Sequence, residues 1–358
     1  MKFYDILQFD PQITKNLIQK TQSKKEKLKL WTGMIIRSIL IVLFAIIFIS
    51  TLSFYFGNEN TPMAVAIFCI FLGIRFVDFG YCIQDELINL AVTFLLLLIA
   101  PVIASITAPL LGFLINFISF FIILFMTCDK PEMGNGGLYS FAYIYLSGNP
   151  VYGEQLIQRF YLTVTGFILC ALIFFIKHKN KNKSIRFIEK IKQMNLNDFK
   201  YHWMTRMSFG VSLILILGMI FHIERFMWAG FACGSLLSEY SRHANIKKKF
   251  IQRFIGVIAG SAIFYLLYTF IPLNLHSFIG PLGGFCLGLC VDYKYKTAMN
   301  CLGALMIASQ LYGLEYSVIL RIADTTIGII FAFIFYYMYE KLIIKKVELL
   351  QTEKANIG

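Results

Sequence analysis

Two copies of one short motif, Arg-x3-Thr-x2-Gly, carry the residue types that could bind an anion. The copies are Arg159-Thr163-Gly166 and Arg321-Thr325-Gly328. On a helix, positions i, i+4 and i+7 fall on one face, so each copy forms a stripe. Glycine and threonine permit close helix contact or exposed backbone, while a guanidinium in an apolar layer is costly unless it is paired, hydrated or binding an anion. Both stripes are therefore candidate substrate contacts.

A structural explanation of the same two arginines is also open. Each lies about two helical turns from the predicted outer surface, and its apolar stem would let the charged head reach that surface. In that case the motif anchors a helix and binds no substrate.

The two motif copies differ in charge. Asp324 follows Arg321 by three residues and can partner it, whereas the equivalent position in the first copy is the apolar Leu162. Arg159 is therefore the less neutralised arginine and the better anion contact, and Asp324 could tune or gate the second site.

Arg253 is a third candidate anion contact. Gly256 and Gly260 follow it on the same predicted helix and allow another helix to approach closely. Arg37 and Arg206 could form a collecting mouth for anions, but they are better explained as anchors at the inner membrane surface.

Enzymatic chemistry finds little support in the sequence. None of the five histidines has a carboxylate or cysteine at ligand or triad spacing, and the phosphate-binding pattern GxxxxGK[ST] does not occur. The eight cysteines lie mostly in apolar runs, where a thiol packs as a small hydrophobic group. We expect no enzyme, no cofactor, no metal and no disulfide.

Composition places most of the chain in lipid. Of 358 residues, 58% are hydrophobic and 15% are charged, against about 45–50% and about 25% in soluble domains. The apolar residues form long runs, which indicates an all-α, polytopic transmembrane helix bundle. The net charge of +13 is explained by basic loops beside an anionic leaflet, so no nucleic-acid partner is expected.

The apolar runs predict about twelve spans. They lie near residues 32–56, 62–76, 87–106, 109–127, 137–150, 155–177, 206–222, 226–240, 250–271, 276–292, 297–313 and 317–339. Those near 62, 137 and 226 are shorter than the roughly 20 residues that a full crossing needs. Pro281-Leu282-Gly283-Gly284 indicates either a broken helix or a packing kink in the tenth span.

Basic residues set the predicted orientation. They concentrate in a cytosolic N-terminal segment (1–30), a cytosolic linker (179–205) and a cytosolic tail (341–358), which flank two six-span halves (31–178 and 206–340). The predicted outer turns contain one arginine, Arg225. An even number of crossings with both termini inside follows from this alternation.

The order of landmarks in the two halves indicates an internal repeat. Arg159 and Arg321 are 162 positions apart, and the turn prolines Pro109 and Pro272 are 163 apart. Because six spans is an even number, both halves would have the same orientation, as a parallel duplication about an axis along the membrane normal.

This layout resembles the fusaric acid resistance and aromatic acid exporter family. The duplicated arginine motif and the segment Arg253-Phe-Ile-Gly-Val-Ile-Ala-Gly260 carry the likeness, which extends over roughly residues 30–343. The resemblance implies export of weak organic acids, notably aromatic carboxylates, driven by the proton motive force, and a distant kinship with aluminium-activated malate channels. By position it makes Arg159, Arg321 and Arg253 anion contacts. The first half departs from the pattern, because Asn89 stands where Arg253 stands in the second.

The sequence thus predicts an organic-anion exporter in the bacterial cytoplasmic (inner) membrane, with anionic lipids at its cytosolic face and an open oligomeric state. The predicted substrate contacts are Arg159, Thr163, Arg253, Arg321, Asp324 and Thr325. A passive organic-anion channel is one alternative. A non-transporting scaffold or lipid-handling protein, in which the arginines bind headgroups, is another.

Overall fold

The computed structural model describes residues 3–195, 198–240 and 246–344, and all regular elements in this part of the chain are helical. The α-helices are α1 (Phe3–Gln8), α2 (Pro11–Lys20), α3 (Lys24–Phe56), α4 (Thr61–Ile74), α5 (Ile83–Ile106), α6 (Pro109–Thr127), α7 (Asn135–Ser147), α8 (Gly153–His178), α9 (Phe187–Lys192), α10 (Phe199–Ile220), α11 (Met227–Leu237), α12 (Ile246–Phe270), α13 (Ile279–Leu287), α14 (Tyr293–Tyr312) and α15 (Leu314–Tyr339). Short 3-10 turns (Asn58–Asn60, Pro131–Met133, Leu273–Phe278) and a π-helical turn (Glu340–Ile344) complete the described elements. The predicted tail lies outside the described residues from position 345 onward.

Seven of these helices are long and apolar enough to cross a membrane: α3, α5, α6, α8, α10, α12 and the segment Leu314–Leu342 that begins with α15. The chain is therefore a multi-pass membrane protein. Each of the twelve predicted spans coincides with a helix among α3–α8 and α10–α15. The count of twelve crossings stays a prediction.

Besides the interrupted tenth span, three helices at predicted spans are too short to cross the apolar layer. They are α4, α7 and α11, with 14, 13 and 11 residues, where a full crossing needs about 20. These are the segments whose apolar runs near 62, 137 and 226 are short in the sequence. Their ends leave backbone carbonyl groups that need donors where water is scarce.

Helix ends follow local sequence signals. Pro109 occupies the first turn of α6, where its missing N–H costs nothing, and Gly57 and Gly313 adopt φ values of 87° and 80° after α3 and before α15. The helix α3 begins at Lys24, several residues before the predicted span, because its Lys- and Leu-rich start consists of good helix formers.

The predicted tenth span is interrupted. A 3-10 segment, Leu273–Phe278, precedes α13, which has nine residues. Pro281 can be accommodated only near the start of a helix, and the glycines around it favour helix poorly. Residues 281–284 themselves lie within α13, so a break at Pro281–Gly284 is not observed; the interruption lies before α13.

The described residues form two compact units. The first comprises residues 1–47 and 247–326, and the second comprises 48–246 together with the chain from 327 onward. Each unit combines helices from both sequence halves, so the boundaries of the compact units do not coincide with those of the predicted halves. The division of the chain into two six-span domains stays a prediction.

In the first unit, α14 is the helix around which others pack. Gly256 and Gly260 of α12 lie against it: a methyl group at Gly256 would come within 2.6 Å of the Lys294 carbonyl oxygen, and one at Gly260 within 2.7 Å of Ala298 Cα. The close approach predicted from these glycines is therefore present. The helix α14 also packs against α13.

In the second unit, α5 and α6 form a hairpin, and α10 packs against α6. The short helices are enclosed: α4 packs on α7 and α8, and α11 packs on α7. The motif glycines make the closest contacts, because Gly166 on α8 lies against Ile67 of α4 and Gly328 on α15 lies against Ala229 of α11.

Candidate functional site

A cluster of charged residues in the first unit is the candidate functional site. It begins with Arg253 on α12, whose side chain reaches the start of α14. Its Nη1 donates a hydrogen bond to the Tyr293 hydroxyl at 3.1 Å, and the guanidinium lies 5.9 Å from the centre of that ring. Arg253 Nε donates to no atom among the described residues. Because Arg253 is only 9% exposed, this unused hydrogen-bond donor belongs to a nearly buried guanidinium.

Arg321 on α15 approaches the same helix. Its guanidinium donates to the Cys301 thiol of α14 and lies close enough to interact electrostatically with both Arg253 and Asp324. Arg321 and Asp324 are 5% and 2% exposed. An ion pair between Arg321 and Asp324 stays a prediction.

This Arg253–Arg321 cluster carries more positive than negative charge. The guanidinium groups of Arg253 and Arg321 interact electrostatically, and Asp324 is a partner of Arg321, in a region that is almost closed to solvent. Thr325, next to Asp324, is 1% exposed, and its hydroxyl has no hydrogen-bond partner among the described residues. Net charge and spare donors make the cluster suited to an anionic ligand.

Arg159, in the second unit, has different surroundings. It is 1% exposed, and each of its three nitrogens donates to an oxygen of the protein: Nε to Asn60 Oδ1 at 2.9 Å, Nη1 to the Asn149 carbonyl at 2.9 Å and Nη2 to the Glu59 carbonyl at 3.2 Å. Asn60 in turn donates to the Phe56 and Gln155 carbonyls. Arg159 therefore fastens the turn before α4 to the end of α7.

Thr163 is bonded within its own helix. Its hydroxyl donates to the Arg159 carbonyl at 2.6 Å, and the residue is 5% exposed. The first motif copy thus uses its arginine and threonine for internal hydrogen bonds, and its glycine for contact with α4. Roles of Arg159 and Thr163 as substrate contacts stay predictions.

Arg206 makes contacts of the same kind as Arg159. It is 1% exposed, it donates to the carbonyls of Leu237 and Glu239 at 3.3 and 2.8 Å, and it lies 4.7 Å from the Tyr336 ring. The carbonyls belong to the end of the short helix α11. In both arginines a buried guanidinium supplies donors to a short helix or turn whose backbone ends inside the protein.

Sequence reasoning missed the acidic residues that hold the central linker. Asp85 binds Arg186 through two hydrogen bonds of 2.9 and 3.1 Å and accepts from the Phe187 backbone N–H at 2.8 Å. Asp78 binds Lys181 at 3.1 Å. Asp129 binds both Lys190 and Lys200 at 3.0 Å. These ion pairs could have been predicted from two features of the sequence: the linker is basic, and the aspartates lie just outside or at the ends of apolar runs.

Asp129 and Asp78 are held in their charged forms. Burial by itself would raise the pKa of Asp129, but hydrogen bonds and charge from Lys200 and Lys190 outweigh it, and the pKa lies below its usual value. The same balance of burial against Lys181 lowers the pKa of Asp78. These carboxylates are therefore ionised at neutral pH.

Glu86, close to these aspartates, has a structural role. It is fully buried, and its Oε1 accepts the backbone N–H groups of Phe79 and Tyr81 at 2.8 and 3.1 Å. Glu86 thus fixes the turn between α4 and α5. Within the described residues, no three histidine, cysteine, aspartate or glutamate side chains are grouped to hold a metal ion.

The segment that contains the Arg253–Arg321 cluster matches a known protein family. Residues 213–335, roughly a third of the chain, match the family described as fusaric acid resistance protein-like. No curated protein and no solved structure matches the chain. This family points to transport or efflux across a membrane. The resemblance expected from the sequence motifs is thereby confirmed for residues 213–335, where the chain is similar to the fusaric acid resistance protein-like family.

Proposed function

We propose that the protein exports organic anions, in particular aromatic carboxylates, across the bacterial cytoplasmic membrane, driven by the proton motive force. The family match supports a transport or efflux role. The observation that carries the choice of an anion is the Arg253–Arg321 cluster, in which two nearly buried guanidinium groups interact electrostatically and Asp324 is a partner of Arg321. A carboxylate substrate would complete the charge balance of this cluster.

In this proposal each cluster residue has a distinct role. Arg253 and Arg321 bind the substrate carboxylate, and the hydroxyl of Thr325 is available as a further donor. Asp324 limits the affinity of the site so that the substrate can leave, because conduction needs binding that is favourable but not too tight. Tyr293 and Cys301 orient the two guanidinium groups through the contacts described above.

The proposal includes an ancestral duplication into two parallel halves. Its support is a contact pattern that recurs along the chain: the pair Ile67–Gly166 and the pair Ala229–Gly328 are both glycine contacts between corresponding helices, and both members shift by 162 positions. Divergence after duplication would explain why Asn89 occupies the position of Arg253. The anion site would then have been retained in the second half only.

Transport by purified protein in proteoliposomes tests this function. We expect efflux of radiolabelled benzoate to depend on an imposed pH gradient, and Arg253→Ala and Arg321→Ala each to reduce it at least tenfold. Asp324→Asn should change the selectivity between benzoate and malate or the pH response, because it removes the one negative charge in the cluster. Lys296→Gln, which removes a positive charge near the start of α14, is the matched control.

The outcomes separate the alternatives. Currents that reverse with the benzoate gradient and ignore the proton gradient would select a passive channel. Normal folding without any benzoate movement, and arginine variants that alter only lipid binding, would contradict transport and favour a scaffold or lipid-handling protein.

A further inference from the structure

The short helix α9 presents a surface that the proposed transport site does not use. Its inner face packs against other helices of the second unit. The Phe187 ring packs 5.0 Å from Tyr81 and 5.7 Å from Phe125, and Lys190 binds Asp129. The Cys82 backbone N–H also donates to the Ile185 carbonyl at 2.8 Å. The orientation of α9 is therefore set by contacts on one side only.

The contacts place α9 at the depth where membrane-spanning helices end. Asp85 is the third residue of α5, Phe125 lies two residues before the end of α6, and Lys200 is the second residue of α10. The linker itself begins where α8 ends. Four helices that are long enough to cross a membrane thus meet the linker at their ends, which is the level of lipid headgroups.

The opposite face of α9 is apolar with basic neighbours. Ile188 and Ile191 are 59% and 45% exposed, and they lie three positions apart on one helical face. Lys192 is on the same face, and Lys183 precedes the helix; both are exposed. Four salt bridges use other linker cations, namely Lys181, Arg186, Lys190 and Lys200.

We propose that α9 is an interfacial anchor that inserts Ile188 and Ile191 among the headgroups of anionic lipids, with Lys183 and Lys192 binding their phosphates. Charge complementarity argues for this partner, because the aspartates pair with other linker cations while the exposed Lys183 and Lys192 lie outside these ion pairs. Basic amphipathic segments with exposed aliphatic residues have this mode of membrane binding. The proposal goes beyond transport and depends on the proposed topology only for which leaflet α9 meets.

Photo-crosslinking in nanodiscs tests the anchor. The full chain, with benzoylphenylalanine at position 188, is placed in nanodiscs of phosphatidylcholine with or without phosphatidylglycerol. We expect strong labelling of phosphatidylglycerol from position 188 and about fivefold less from position 193, the capping residue that follows α9. The Lys183→Gln, Lys192→Gln double variant should reduce the phosphatidylglycerol adduct about fivefold. Lys24→Gln, Lys25→Gln is its charge-matched control and should leave the adduct unchanged.

Three results would overturn the proposal: equal labelling from positions 188 and 193, labelling that ignores lipid charge, or adducts with protein alone. None of them depends on benzoate movement. Failure of the anchor and failure of the transport function are therefore distinguishable.

Discussion

Individual arginines in this chain share a motif but have different surroundings. Arg159 and Arg206 donate to backbone carbonyls at the ends of short elements, whereas Arg253 and Arg321 lie together near Asp324. The distinction is physical. A buried guanidinium whose donors are bound to carbonyls stabilises the fold, while two neighbouring guanidinium groups leave positive charge for a ligand.

Removing Arg159 should destabilise the protein. Arg159→Ala would leave Asn60 Oδ1 and the carbonyls of Glu59 and Asn149 without their donor, which we expect to cost about 3 kcal/mol. The measurement is the thermal midpoint of the purified protein in detergent. Asn60→Ala should lower the midpoint similarly, and the double variant should be little worse than either single one, because both residues belong to one network. An unchanged midpoint with lost transport would assign Arg159 to the anion path.

At the scale of elements, glycines decide how closely helices approach. Gly166 faces the flexible side chain of Ile67, but Gly328 faces the backbone of Ala229, which cannot rotate away. The two motif copies have the same sequence pattern, but their glycines should differ in how well they tolerate an added methyl group. This difference is visible only when the neighbour is known.

A pair of alanine substitutions tests the difference. Gly328→Ala should destabilise the protein by about 2 kcal/mol through overpacking, and Gly166→Ala should cost less, because Ile67 can change its rotamer. Thermal midpoints of the two variants give the comparison. Gly303→Ala is the control, since a methyl group there meets no atom within 4 Å, and it should be neutral or slightly stabilising. Equal losses at Gly166 and Gly328 would contradict the assigned contacts.

The linker is held by ion pairs whose strength depends on pH and salt. Since the pKa of Asp129 is lowered, its ion pairs are complete above the pKa of a free aspartate, about 3.9, and are lost as the pH falls through the lower value of the folded protein. Asp129→Asn should therefore release Lys190 and Lys200 at neutral pH. Tryptic cleavage within residues 179–200 should become several-fold faster in this variant. Glu132→Gln, in the same loop, should leave the cleavage rate unchanged, and a linker cut equally fast in both variants would refute the role of Asp129.

At the scale of the whole molecule, the basic segments and the outer turns define a topology that labelling can check. With native cysteines replaced, Glu154→Cys and Leu273→Cys should react with a membrane-impermeant maleimide in intact cells. Lys25→Cys and Lys179→Cys should react only after permeabilisation, because positively charged segments stay inside. Reaction of Lys25→Cys in intact cells would invert the proposed orientation.

The sequence by itself determined the class of protein, the helices and the motifs. Long apolar runs require helices in lipid, so the positions of α3–α8 and α10–α15, including the short α4, α7 and α11, could be predicted from the chain alone. The glycines after Arg253 also indicated a real contact between helices. These signals are local, because they depend on residues within one helix.

Only the tertiary structure decided which arginines hold the fold and which are available to a ligand. The acceptors of Arg159 include Asn60, 99 positions away, and Arg186 finds Asp85 101 positions away. Hydrogen bonds of this range depend on where turns meet after the helices have packed, and no periodicity or spacing along the chain encodes that meeting. Equivalent motif positions therefore acquired different partners, and with them different roles.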